Sequence, residues 1–245
     1  TPIVEKVPQN VGSATDGEYY AYHGYWALNF EELNPHLGSL ADFHELIDAA
    51  AEKGINIIVD VVLNHAGYGA EETFEGMVRT KEEDKQGDDQ LGSLSGLPDF
   101  KTEEATVRNQ LVAWQASWLK RSTTAKGNSI YGFRVDTVKH VDDTTWQHFK
   151  NELVDRDPDF HLIGETWGAN YKDTKGDLGI GTMDSLLDFG FKDIAKYLVN
   201  GQLKAAGKEL EERSKVLTSA ASLGQFLGSH DEDGFLYSLG GTEKE

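Results

Sequence analysis

Residues 132–141 of the chain read GFRVDTVKHV, an apolar run that ends in a group of charged side chains. Phe133 and Val135 alternate with Arg134 and Asp136, and a period of two is typical of a β-strand. Positions two apart share one face of a strand, so we expect Arg134 and Asp136 side by side. There the guanidinium can keep the carboxylate ionised and oriented. Such a carboxylate suits nucleophilic glycoside chemistry, and a structural ion pair at a strand end is the alternative that this stretch leaves open.

Three other apolar runs also end in motifs that carry an acidic side chain, and two of these motifs carry a histidine. They are Asp60-Val61-Val62-Leu63-Asn64-His65, Gly164-Glu165-Thr166-Trp167 and Gly228-Ser229-His230-Asp231. Short apolar runs between helices are typical of buried parallel strands. A (β/α)8 barrel places its catalytic groups at the carboxyl ends of such strands. The acids at the ends of the four runs are Asp60, Asp136, Glu165 and Asp231.

Helical patterns between these runs predict an alternating α/β architecture. Ser39 is a good N-cap for a helix that ends at Gly54, and further helices are predicted around residues 107–118 and 146–153, and at 191–199 and 203–217. Strands are predicted at residues 55–63, 130–135, 160–164, 183–189 and 225–228. Residues 1–38 and 66–100 lack periodicity and predict long loops. We therefore divide the chain into barrel residues 1–65, an insertion at 66–100, and barrel residues 101–245.

The composition describes a globular chain with an acidic surface. Its 245 residues suffice for one barrel, and 38% hydrophobic residues argue against disorder. A net charge of −19 argues against nucleic acid and anionic membranes as partners, and it suits a neutral substrate. The chain has no cysteine for a disulfide, and no apolar run reaches the roughly 18 residues of a membrane span. No zinc motif or phosphate-binding glycine loop is evident.

In their order and spacing, the four strand-end motifs resemble the signature motifs of the alpha-amylase family of glycoside hydrolases. The resemblance extends from about Tyr19 to Phe235 and implies a (β/α)8 TIM barrel. The five predicted strands would be the third to seventh, residues 1–3 the tail of the second, and 66–100 a short domain B after strand 3. We therefore expect an incomplete fragment of a longer enzyme, poorly soluble and inactive alone. The resemblance also implies a secreted, monomeric protein, although the chain shows no signal peptide.

The resemblance assigns catalytic roles to three acids. Asp136 would be the nucleophile, Glu165 the general acid/base, and Asp231 the third carboxylate, which binds sugar hydroxyls. Two carboxylates in the first two roles imply retention at the anomeric carbon. Gly164 and Trp167 beside Glu165 predict the confined, partly apolar setting that favours a protonated acid.

The resemblance also implies residues that bind the substrate. Tyr25 would stack on the sugar at the cleavage point, although a buried aromatic is the commoner explanation for such a side chain. Lys139 and His140 resemble a pair that contacts the leaving-group side in enzymes acting on internal α-1,4 bonds. The complete implied set is His23, Tyr25, Trp26, His65, Arg134, Lys139, His140, Trp167 and His230. We expect Asp60 to support Arg134 and not to react.

A calcium ion is implied between the insertion and the barrel. Its ligands by resemblance are the side chains of Asn64 and Asp99 and the backbone carbonyl of His140. Oxygen ligands from separate segments are what Ca²⁺ prefers. Residues Asp84, Asp88 and Asp89 are further candidates, but an acidic run of this kind is usually a solvated surface.

The activity that follows is endo-hydrolysis of α-1,4-glucosidic bonds in starch-like glucans, so the expected partner is an α-glucan. Ser229 stands where the family usually has Asn, and it makes fewer hydrogen bonds. This departure leaves open an α-1,6-acting or a transglycosylating relative. A third alternative is a non-catalytic carbohydrate-binding homologue, which would be expected to have lost one of the three acids.

Overall fold

The computed structural model of the chain describes residues 1–12, 17–172, 182–217 and 222–240. It divides into two units, residues 1–162 and 163–245. The first unit contains β1 (Val4–Lys6), β2 (Ala27–Leu33), α1 (Leu40–Glu52), β3 (Ile58–Val61), α2 (Ala105–Arg121), β4 (Gly132–Val135) and α3 (Asp143–Val154). Strand β5 (His161–Gly164) crosses the boundary, and the second unit adds β6 (Ser185–Asp188), α4 (Phe191–Val199), α5 (Leu203–Val216), β7 (Gly224–Gln225) and α6 (Phe235–Ser238).

Strand β4 forms where the alternating sequence predicts it, and it pairs in parallel with β3. The register sets Asp60 opposite Arg134, so two charged residues face each other across the ladder. Phe133 and Val135 are completely buried, whereas Arg134 is only partly buried. The two faces of the strand thus separate the apolar side chains of the core from the charged side chains of the candidate site.

The buried face of β4 packs on α3. The ring of Phe133 stacks on Phe149 at 5.8 Å between centroids and meets Phe160 edge-on at 4.9 Å. Burying one such side chain contributes roughly 1.5–3 kcal/mol. Gly132 permits the neighbouring chain to approach, because a β-carbon there would lie 2.5 Å from the carbonyl oxygen of His161. This packing places the end of β4 at a fixed position above the core.

Helix α1 begins with the predicted N-cap. The Ser39 hydroxyl accepts from the backbone N–H of Asp42, and the Asp42 carboxylate accepts from the N–H of Ser39. This capping box satisfies two backbone donors that a helix start otherwise leaves unpaired. Gly54 follows the helix with φ of 67°, a left-handed conformation that glycine adopts without strain.

The prediction that residues 1–38 form a loop is wrong in part. β1 and β2 form an antiparallel pair whose register shifts twice, so the sequence lacks a regular period of two. Phe30 in β2 is buried and packs against Phe74 and Trp114, which ties this hairpin to the core. Pro2 forms a parallel bridge to Asp60 of β3, as expected of the tail of a preceding parallel strand.

Residues 66–100 contain one regular element, a short 3₁₀ turn at Leu94–Gly96, and their assignment as an insertion stays a prediction. Two isolated antiparallel bridges, His65 to Asp99 and Val78 to Phe100, connect its limbs. Each bridge involves a single pair of residues, so the sequence around it shows no periodic pattern from which it could be predicted.

In the second unit, Ile163 and Gly164 of β5 pair in parallel with β6, and β6 pairs in parallel with β7. The predicted strands at 183–189 and 225–228 are longer than the observed ones. Asp188, at the end of β6, is buried with Arg213 of α5, whose Nη2 lies 2.6 Å from the carboxylate. Among the described helices of the chain, none has the length and apolar character that crossing a bilayer requires.

Candidate active site

Four polar side chains meet where β4 ends. Arg134 donates from Nη1 to Asp136 Oδ1 at 2.8 Å and to the Tyr25 hydroxyl oxygen at 3.2 Å, and it lies 3.2 Å from Asp60 Oδ1. The Tyr25 hydroxyl donates to Asp60 Oδ2 at 3.0 Å. The side chains of Arg134, Asp60 and Asp136 are 10–14% exposed, so the guanidinium lies between two nearly buried carboxylates. The predicted contact of Arg134 with Asp136 and the support of Arg134 by Asp60 are both confirmed.

Tyr25 is held in place by this network. Burial and the nearby Asp60 carboxylate raise the pKa of Tyr25, so its hydroxyl remains a hydrogen-bond donor. The Arg134 guanidinium carbon lies 5.8 Å from the centre of the Tyr25 ring, within the range of a cation–π contact. Stacking of Tyr25 on a sugar stays a prediction, and the network fixes the ring that would do it.

The backbone turns sharply directly after Asp136. Thr137 has φ of 54° and ψ of 38°, a left-handed conformation that is rare for a β-branched residue. Such strain costs roughly 1–3 kcal/mol and is concentrated at functional sites. The turn leads into a short 3₁₀ helix at Val138–His140, which carries the Lys139–His140 pair.

The predicted aromatic and histidine residues of the first unit lie together. The His23 ring is stacked on Tyr25 at 5.8 Å and meets Trp26 edge-on at 4.6 Å. The backbone N–H of Tyr25 donates to His23 Nδ1 at 3.1 Å. His65 is buried, and burial lowers its pKa to about 4, so its imidazole is neutral at ordinary pH. Tyr68, which the sequence did not single out, extends this group at 4.9 Å from Trp26.

The Lys139–His140 pair contacts the insertion. His140 Nδ1 lies 2.8 Å from the carbonyl oxygen of Asp89, and Lys139 Nζ lies 4.0 Å from an Asp89 carboxylate oxygen. The side chains of Lys139 and His140, which are proposed to touch the substrate, are therefore positioned by Asp89 of the insertion. This is a connection that the sequence motif alone did not predict.

In the second unit, Glu165 follows β5 directly and is 6% exposed. Trp167, two residues on, is half exposed and rests edge-on against Phe189 at 5.1 Å. A cavity of about 540 Å³ opens beside Trp167, and Tyr171 and Tyr197 contribute to its lining. Concave surfaces lined by aromatic and polar groups suit small ligands. Glu165 is not among the residues that line this cavity, and its burial is the observation that agrees with the predicted confined setting.

Asp231 lies in a more open setting than Glu165. It is six residues beyond the end of β7, because the strand ends at Gln225 and not at residue 228. Its Oδ2 lies 3.1 Å from His230 Nε2, and its backbone N–H donates to the Ser229 hydroxyl at 3.3 Å. The side chain of Asp231 is 43% exposed. The structure brings the predicted residues His230 and Asp231 together.

The family model described as the alpha-amylase catalytic domain matches residues 1–89 and 91–245. The chain belongs to the alpha-amylase family. This is a family of glycoside hydrolases, and its (β/α)8 barrel accounts for the alternation of helices and parallel strands. The five parallel strands make the chain part of such a barrel.

Relatives in the alpha-amylase family match over nearly the whole chain. Neopullulanase 2 of Thermoactinomyces vulgaris is 26% identical over 245 residues, covering 91% of this chain and 40% of that protein. The periplasmic alpha-amylase of Escherichia coli (strain K12) is 25% identical, covering 93% of this chain and 46% of the relative. The solved alpha-amylase of Geobacillus thermoleovorans, complexed with acarbose, is 28% identical with a TM-score of 0.77, covering 98% of this chain and 52% of that one. The chain spans less than half the length of the first two proteins and about half of the third.

The residues that the family resemblance implies as calcium ligands make contacts that do not suit a calcium ion. Asp99 is buried, but its Oδ2 accepts a hydrogen bond from Arg79 Nε at 2.8 Å. Burial raises the pKa of Asp99 to about 7, and Arg79 opposes that rise. Asn64 directs its amide nitrogen at His65 Nδ1, 3.2 Å away. Calcium binding stays a prediction, and the contacts of Asp99 point against it.

Sequence reasoning missed two buried arginines of this chain. Arg79 binds Asp99 in the first unit, and Arg213 binds Asp188 in the second. Neither has a motif, and a lone arginine in a charged segment is normally assigned to the surface. Asp188 gave a signal, because it is an acid at the end of an apolar strand and needs a partner when buried. Asp99 gave none, since it lies outside the strands and Lys101 is only two residues away.

Proposed function

We propose that the protein containing this chain is a retaining glycoside hydrolase that cleaves α-1,4-glucosidic bonds in starch-like glucans. The observation that carries the proposal is the contact of Arg134 with Asp136 at the end of β4, buttressed by Asp60 and Tyr25. This arrangement keeps a carboxylate ionised and its oxygens fixed, which is the property that a nucleophile needs.

In the proposed reaction, an Asp136 oxygen attacks the anomeric carbon while Glu165 donates a proton to the departing glycosidic oxygen. The bond to the leaving glucan breaks and a covalent glycosyl–enzyme ester forms. Glu165 then takes a proton from water, which attacks the same carbon and frees Asp136. Two displacements at one carbon give net retention. The pairing of the two residues comes from family membership, and the burial of Glu165 supports its role as the acid.

Substrate contacts are proposed for the groups around these acids. The ring of Tyr25 would stack on the sugar at the cleavage point, and neutral His65 would accept or donate one hydrogen bond to a sugar hydroxyl. Lys139 would contact the leaving-group side. Asp231 would bind hydroxyls of the distorted sugar with His230 beside it.

A second candidate is action on α-1,6 bonds or transfer to a sugar acceptor. It is favoured by Ser229 beside the His230–Asp231 pair, where the family usually has Asn. One relative is named neopullulanase 2, and another is named cyclomaltodextrinase. These names describe the relatives, and the second candidate keeps the same nucleophile and acid.

We also propose that the complete protein works outside the cytoplasm as a monomer. A relative named periplasmic alpha-amylase supports the location. The large negative charge, −19 over this chain, suits a neutral glucan.

The test uses the complete protein on soluble starch, pullulan and maltotriose. The first candidate predicts mixed short maltooligosaccharides from starch, with the α-anomer formed first by NMR, and little attack on α-1,6 bonds. Cleavage of pullulan at its α-1,6 bonds, or transfer products longer than maltotriose, would favour the second candidate. Asp136→Asn is the matched control for contaminating activity. Binding without any turnover would support the non-catalytic homologue and refute both.

A further inference from the structure

We propose that Arg79 performs in this chain the role that the family resemblance gave to calcium. Its guanidinium ties residues 66–100 to the barrel, and the fold does not depend on Ca²⁺. The proposal concerns stability and stands apart from the proposed reaction, because its tests measure melting and metal binding.

The backbone places Asp99 where the insertion is joined to the rest of the first unit. The carbonyl of Asp99 accepts from the N–H of Arg79 at 2.7 Å, and the N–H of Phe100 donates to the carbonyl of Asn64 at 2.9 Å. Residues 98–100 therefore lie between the chain leaving β3 and the limb that carries Arg79. A bond formed at the Asp99 side chain acts on the base of the insertion.

The Arg79 side chain joins three segments at this point. Nε donates to Asp99 at 2.8 Å, and Nη1 and Nη2 donate to the two carboxylate oxygens of Glu103 at 2.8 and 2.6 Å. Glu103 lies just before α2, which begins at Ala105. The Arg79 side chain is only 6% exposed and that of Asp99 only 2%. Three charge-assisted hydrogen bonds from one planar group give both strength and a fixed geometry.

A calcium ion and this guanidinium compete for the same carboxylate. Calcium needs six to eight oxygen ligands at about 2.3–2.6 Å, and Arg79 offers no oxygen and a like charge. The candidate acids of the insertion serve its own loop: Asp84 accepts from the N–H and hydroxyl of Ser93, and Asp88 accepts from the N–H of Leu91. Within the described residues, no three His, Cys, Asp or Glu side chains are placed to hold a metal.

The first experiment uses the complete wild-type protein. Its thermal midpoint is measured after EDTA treatment and again with CaCl₂ restored, and ⁴⁵Ca²⁺ equilibrium dialysis reports binding directly. A saturated calcium site would raise the midpoint by several degrees, by mass action. We expect the thermal midpoint to change by less than about 1 °C. We also expect no calcium site with a Kd below about 1 mM, which is weaker than a structural site requires. A midpoint that falls in EDTA and recovers with calcium would overturn the proposal.

The second experiment replaces the guanidinium. Arg79→Met keeps the length of the side chain and leaves Asp99 and Glu103 unpaired. The matched control is Arg108→Met in α2, since Arg108 makes only two 3.5 Å contacts to backbone carbonyls. We expect Arg79→Met to lower the midpoint by several degrees more than Arg108→Met does. Equal midpoints for the two variants would refute the role of Arg79. If Arg79→Met does not fold, the wild-type measurements still decide.

Discussion

Arg134→Met is expected to lower both the stability and the activity of the protein. Arg134 is 14% exposed, and its Nη1 lies 2.8 Å from Asp136 and 3.2 Å from Asp60. Methionine keeps most of the apolar stem but removes the charge. Two carboxylates that are 10–12% exposed would then share a site without that cation.

The magnitude follows from the burial of this group. Removing one partner of a buried ion pair costs about 3–5 kcal/mol. A loss of 1 kcal/mol lowers the midpoint of a domain of this size by roughly 2–4 °C, so the expected fall is roughly 6–20 °C. The control is Arg156→Met. Arg156 follows the C-terminal cap of α3 and pairs with Glu152, one turn earlier in the helix, and both side chains are more than a third exposed. An exposed pair of this kind contributes about 0.3–0.5 kcal/mol, or roughly 1–2 °C.

Both variants are melted in the complete protein, and starch hydrolysis is measured well below the lower midpoint. Loss of the group that orients Asp136 should lower kcat by about 100-fold or more, because small misplacements of a reacting atom are costly. Arg134→Lys should retain part of the stability, since one ammonium cannot reproduce the planar fork. The reasoning is refuted if Arg134→Met melts within 2 °C of Arg156→Met, a gap about the size of an exposed pair's contribution, and keeps a tenth of the activity.

Two further predictions concern buried charged groups. The pKa of His65 is lowered from 6.5 to about 4, so the folded state resists protonation, and acidification from about pH 6.5 to 4 should cost wild type about 3 kcal/mol. Unfolding is measured as a function of pH. In His65→Gln the free energy of unfolding should lose this fall on acidification, whereas His36→Gln, at an exposed position, should keep it. Identical pH slopes for the two variants would contradict the prediction. Arg213→Met should cost about 3–5 kcal/mol by leaving Asp188 unpaired, and adding Asp188→Leu should restore most of it. A double variant that melts no higher than Arg213→Met would count against this.

The parts of the fold that the sequence predicts are those with a local cause. The alternation of Phe133 and Val135 with charged residues predicts a buried strand, and Ser39 predicts the start of α1 because it is a good N-cap. The hairpin of β1 and β2 escaped prediction, because register shifts remove the period of two. The ends of β4 and β5 were predicted at the observed residues, Val135 and Gly164. Most other strand limits were misplaced by one to three residues, since an apolar run continues past the ladder hydrogen bonds.

The candidate site divides in the same way. The contact of Arg134 with Asp136 follows from a spacing of two on one strand. The contacts of Arg79 with Asp99 and of His140 with Asp89 join residues 20 and 51 positions apart, and no local pattern encodes them. The first contact concerns the proposed calcium site, and the second concerns the residues proposed to bind the leaving group. Because no local pattern encodes either contact, only the structure shows them.

The central claim is that Asp136 is the nucleophile of a retaining reaction. The most direct measurement traps the covalent intermediate in the complete protein with a fluorinated α-glucosyl fluoride that forms the ester quickly and loses it slowly. Mass spectrometry of the digested protein then locates the added sugar. We predict the adduct on the peptide that contains Asp136, and none in Asp136→Asn. A sugar attached to Glu165 or Asp231, or an inverted product without any adduct, would contradict the account.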